Sequence, residues 1–99
     1  MGQIASTILE QLGGYKFITM TGAKNLLDHG DALSFKMPSR FANKGINYVK
    51  ITLDPRDTYI IFFGKIAKYE MKEIATWTDV YADGLQGAFS RETGLNTHL

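Results

Sequence analysis

Cysteine is absent from this 99-residue chain, and proline (two) and tryptophan (one) are scarce. Without cysteine there is no disulfide framework and no thiolate metal site, which fits a reducing compartment. The only histidines are His29 and His98, little material for a nucleophile–base pair or a histidine metal centre. No stretch approaches the roughly 20 apolar residues that cross a bilayer. The start of the chain carries no basic region followed by an apolar one, so no signal peptide is expected. Net charge is also small, at +1. The surface as a whole is therefore no polyanion trap, and a nucleic-acid reading must rest on local clustering.

Catalytic signatures are missing too. There is no G-x-S-x-G, H-E-x-x-H or G-x-G-x-x-G. Thr21-Gly22-Ala23-Lys24 has neither the spaced first glycine nor the Ser or Thr after the lysine of a phosphate loop. Asp28-His29-Gly30-Asp31 holds three metal-ligand types in four residues, but Asp and Gly are also what a turn requires. Asp54 and Asp57 sit in a four-residue turn, which offers neither cleft nor shifted pKa for acid–base work. The expectation is a protein that is not an enzyme and that uses no cofactor and no metal.

What is present is an ordinary globular composition, with 44% hydrophobic and 21% charged residues. That suits a single domain, 1–99, with one modest core. Its densest β-forming stretch is 46–66, two strands joined by Asp54-Pro55-Arg56-Asp57. Asn47, Val49, Ile51 and Leu53 share one face; Tyr48, Lys50 and Thr52 share the other. Tyr59 to Phe63 is apolar on both faces and reads as a strand covered on both sides.

The remaining segments supply partners. Gln3 to Leu12 has an apolar stripe of Ile4, Ile8, Leu9 and Leu12, a helix that Gly13-Gly14 stops. Tyr15 to Met20 reads as a strand. For 21–30 a helix capped by Thr21 competes with a strand from Ala23 to Asp28, and the hairpin is preferred. Asp31 to Met37 alternates, with Leu33, Phe35 and Met37 inward. Ser39 to Gly45 is a loop. Lys68 to Thr78 is a long strand in which Glu73 interrupts the apolar face, so a bulge or an edge position is expected there. A helix from about Val80 to Thr93, capped by Asp79 or Thr78, buries Tyr81, Leu85, Ala88 and Phe89. Gly84 and Gly87 are explained by close packing on the sheet, and Gly94-Leu95 by a Schellman stop. The fold class is α+β: an N-terminal helix, an antiparallel meander of five to six strands, and a C-terminal helix packed on one sheet face.

One span carries a chemical signal. From Ala32 to Leu53 there is no acidic residue, but there are Lys36, Arg40, Lys44 and Lys50, with Phe41 in the loop. Cations for phosphates beside an aromatic for a base are what a single-strand or RNA-binding surface uses. Solvated surface lysines are the competing reading, with Phe41 folded into the core.

Three segments, ILEQLGGYKFITMTGAKN at 8–25, INYVKITL at 46–53 and VYADGLQGAFSRETGL at 80–95, resemble small open reading frames of bacteriophages and other mobile elements. The resemblance implies a compact cytoplasmic protein made inside a bacterial host, acting by stoichiometric binding. Its expected partner is a host protein or a protein–nucleic-acid complex, as for an anti-CRISPR-like inhibitor of host defence. That reading asks for an exposed apolar or aromatic patch, or a homodimer face. Direct nucleic-acid binding through Lys36, Arg40, Phe41, Lys44 and Lys50 is the alternative, and no membrane is expected in either case.

Overall fold

The computed structural model describes residues 2–38 and 42–95. Helix α1 (Gln3–Leu12) buries Ala5, Ile8 and Leu12 and closes at the two glycines. Gly13 adopts φ +126°, its N–H donates to the Glu10 carbonyl at 3.0 Å, and the Gly14 N–H donates to that of Leu9 at 2.9 Å. This is the paired bonding of a Schellman motif, which satisfies carbonyls left over at the helix end.

The segment read as a strand from Tyr15 to Met20 is instead a second helix, α2 (Tyr15–Thr21). Phe17 and Thr21 are the buried pair, whereas Tyr15 is 82% exposed. A strand would place Tyr15 beside Phe17; the i, i+4 spacing of a helix places Thr21 there. The Thr21 hydroxyl donates to the Phe17 carbonyl at 2.7 Å and accepts the Ala23 N–H at 3.2 Å, and Gly22 turns left-handed. The last helix, α3 (Leu85–Thr93), ends identically: Thr93 bonds the Phe89 carbonyl at 2.7 Å and the Leu95 N–H at 3.2 Å. Phe-x-x-x-Thr-Gly thus occurs twice, at 17–22 and 89–94. At Gly94 a single 2.8 Å bond to the Ser90 carbonyl makes a left-handed stop in place of the expected Schellman pair.

Between these helices runs a five-stranded antiparallel meander in sequence order: β1 (Lys24–Asp28), β2 (Ala32–Lys36), β3 (Tyr48–Leu53), β4 (Tyr59–Ala67) and β5 (Glu70–Val80). The preferred hairpin at 21–30 is present, and the 46–66 pair is the centre of the sheet. In its turn the Asp54 carboxylate accepts the Arg56 N–H at 3.0 Å, while Asp57 supplies a left-handed φ of +64°. Asn47 extends the ladder with its side chain, giving a 3.0 Å bond to the Ile66 carbonyl and taking one of 2.7 Å from its N–H.

All three helices lie on the face bearing Leu33, Phe35, Val49, Ile51, Ile61 and Phe63, and those side chains are fully buried. Phe89 of α3 meets Phe17 at 5.1 Å, Phe35 at 6.2 Å and Phe63 at 6.5 Å between ring centroids. The opposite face has no second layer among the described residues: Ile60 and Phe62 are partly exposed there. Double apolarity in β4 therefore does not mean cover on both sides.

β5 bears the expected irregularity as an edge strand with a register shift opposite Phe63 and Gly64. The extra residue flips the alternation, so Ala75 and Trp77 face the helices while Met71 faces away. The C-terminal helix starts later than expected, after a 3-10 turn at Ala82–Gly84, with no side-chain cap. Asp79 instead holds φ +56° and accepts Arg56 at 3.0 Å, and Tyr81 is 67% exposed. Close packing does not explain Gly84 and Gly87, since a Cβ on either would meet nothing within 4 Å.

Replacing Phe89 by alanine should remove about 3–5 kcal/mol, a large share of the roughly 5–15 kcal/mol of a typical domain; urea unfolding measures it. Tyr59, whose hydroxyl donates to Gln11 Oε1 at 2.6 Å, is pushed above its ordinary pKa of 10.0 by burial. Its neutral form is favoured by folding, so that contribution is intact below pH 10 and lost as pH climbs through the folded value. Absorbance titration should show one tyrosine ionising late, with chemical stability falling over the same range.

Candidate nucleic-acid interface

A meander sends every second connection to the same end of its sheet, and here the two ends differ in charge. The β1–β2 turn, the β3–β4 turn and the stretch leaving β5 share one end. They hold all the aspartates of the chain: Asp28, Asp31, Asp54, Asp57, Asp79 and Asp83. The other end collects Lys24, Lys36, Lys44, Lys65, Lys68 and Lys72. Only Lys16 on α2 and Lys50 within β3 lie elsewhere among the lysines. Glu70, Glu73 and Glu92 also lie at the lysine end and Arg56 at the aspartate end, so a net charge near zero conceals a partial separation of sign.

Turn chemistry accounts for much of the acidic end. Asp28 accepts the Gly30 N–H at 2.7 Å and also that of Gly2, and the Gly30 bond leads in holding its carboxyl below the usual range. Asp54 is lowered first by its bond from the Arg56 N–H. His29 Nε2 is 2.7 Å from the Ser34 hydroxyl. Among the described residues no three His, Asp or Glu side chains gather as a metal site. A shallow cavity of about 360 Å³ beside Trp77, Tyr81, Gly87 and Arg91 contains Asp79, already paired with Arg56, and Asp83.

The lysine end needs a different account, because no turn geometry requires it. On the helix-free face Lys24 lies directly across from Lys36, Lys36 across from Tyr48, Tyr48 across from Gly64, and Gly64 across from Glu73, whose carboxylate accepts the Thr76 hydroxyl. One step along, Ser34, Lys50, Phe62 and Thr76 form the next row. Facing pairs share a side of the sheet, and like charges so placed repel. A second such pair, Lys65 and Lys72, faces the helix side. The ion pairs among the described residues are Lys44–Glu92, Arg56–Asp54 and Arg56–Asp79. None of them involves Lys24, Lys36 or Lys50.

Of the residues singled out in the basic span, the structure brings together Lys36 and Lys50. Lys44 lies on the other side of the sheet, 3.4 Å from Glu92, whose second oxygen accepts the Trp77 indole N–H at 2.9 Å. Arg40 and Phe41 lie outside the described residues. Aromatic partners come instead from the strands: Tyr48 and Phe62 meet edge to face at 6.2 Å and 70°. Gly64 makes room for the Phe62 ring and Met71, since a Cβ there would lie 2.7 Å from Phe62 Cε1 and 2.8 Å from Met71 Sδ. Alternation in 46–66 already put Tyr48 beside Lys50; Lys24 was hidden by the ambiguity of 21–30.

No protein-family model, no curated protein and no solved structure matches the chain.

If Lys24 and Lys36 repel, Lys24→Glu should stabilise the free protein by roughly 0.2–1 kcal/mol at low ionic strength. The gain should shrink at about 1 M salt, where the screening length is only about 3 Å. Paired thermal melts at the two salt concentrations check both halves.

Proposed function

We propose that the protein is a non-enzymatic binding protein that engages nucleic acid through the lysine end of its sheet. In keeping with the resemblance to phage and mobile-element frames, it works in the cytoplasm of a bacterial host. The observation that carries this reading is the Lys24–Lys36 pair with Lys50 beside it, none of them with a carboxylate partner among the described residues. Such a cluster is relieved by an anion, and a phosphate chain supplies several at once while releasing counterions.

The inhibitor reading, in which a host defence protein is the target, asks for an exposed apolar or aromatic patch, or a homodimer face. Tyr15 and Met20 lie on α2, Tyr69 in the β4–β5 turn and Tyr81 before α3, whereas Leu27 and Met71 share the helix-free face with partly exposed Tyr48, Ile60 and Phe62. That face carries apolar surface as well as lysines, and it is the Lys24, Lys36 and Lys50 cluster that favours nucleic acid.

Binding to labelled oligonucleotides should weaken steeply with salt. Lys24→Gln/Lys36→Gln/Lys50→Gln should cost at least about tenfold at roughly 50 mM salt and flatten the log–log salt slope by about 2. Lys44→Ala, which removes a cation already held by Glu92, should change little. Pull-down from a bacterial host with and without nuclease gives the wider test. A protein partner retained after nuclease, with no oligonucleotide binding by the purified chain, would return the assignment to a host protein.

A further inference from the structure

Resting on the nucleic-acid reading above, we infer that the ligand is a single strand that lays a base on the Tyr48–Phe62 pair while its phosphates run over Lys24, Lys36 and Lys50. Position supports this first. Neighbouring strands are about 4.8 Å apart, so Lys36 and Lys24 stand about 5 and 10 Å across the sheet from Tyr48. Lys50 shares β3 with Tyr48 and faces Phe62 directly. Cations thus lie on two sides of an aromatic pair, within one or two nucleotides of it.

The aromatic pair is partly exposed, though Val49, Ile51, Ile61 and Phe63 on the other face of the same strands are fully buried. Its cover is absent by construction: Gly64 fills the row beyond Tyr48 with no side chain, and the Phe62 ring leans over it against Met71. The two rings stand at 70° to each other, and their partly exposed aromatic surface beside lysines is of the kind a base can stack on. Antiparallel sheets that bind RNA use such rings for unpaired bases. A duplex keeps its bases inside and would meet only the lysines, leaving the rings against phosphate. Only an unpaired strand satisfies both halves of the surface.

The test is fluorescence anisotropy with a labelled oligothymidylate of about 12 nucleotides and a mixed-sequence duplex of the same length. Phe62→Leu and Tyr48→Leu keep apolar bulk over Gly64 while removing the π-face, and melting curves confirm that each remains folded. The wild-type chain should prefer the single strand. Each leucine variant should weaken single-strand binding about tenfold and leave duplex binding unchanged, whereas Lys36→Gln should weaken both. Equal binding of single strand and duplex, untouched by either leucine variant, overturns the stacking inference and leaves the lysine-end reading standing. Failure of the wild-type chain to bind either probe at low salt overturns both.

Discussion

Phe89 holds the molecule together. Its ring joins α2 through Phe17, β2 through Phe35 and β4 through Phe63, pieces separated by most of the chain. None is stable alone: α2 has seven residues and α3 nine, below the length at which isolated helices persist in water. The two Phe-x-x-x-Thr-Gly helix ends fix where those rings enter. In each, the threonine hydroxyl ties back to the phenylalanine carbonyl, so the helix stops one turn after its core contact.

With every helix drawn to that side, the sheet's other face is left to do something else. Gly64 and the β5 bulge shape it. The bulge turns Met71 outward to lie beside Phe62, and the missing side chain at Gly64 lets the ring settle low across the surface. The result is a chemically mixed surface on the central strands of the sheet.

Much of this was legible in the chain. Periodicity located α1 to the residue and the strands nearly so, because Asn47–Leu53 and Leu33–Met37 alternate on a half-buried surface and Tyr59–Phe63 is a dense β-forming run. Tyr15 to Met20 reads as a strand because both periods fit so short a stretch; Thr21, polar yet buried, decides for the helix only once its bond to Phe17 is known. Tyr81 fails to join the α3 stripe because the chain takes a 3-10 turn before it. The site was legible in part. Lys36 and Lys50 fall together because they alternate on paired strands, but Lys44 is turned away by its left-handed backbone, φ +58°, toward Glu92. Lys24 enters only through strand register, which no local pattern reports.

Aspartates gathered at one end, against an excess of lysines over glutamates at the other, give the molecule a permanent dipole. In the field of a polyanion such a body experiences torque as well as attraction, so it turns before it touches, and more encounters are productive than net charge +1 would suggest. On the proposed nucleic-acid reading, docking by the lysine end would turn the six aspartates outward. A strand coated this way would stay negative to its surroundings and repel a second layer.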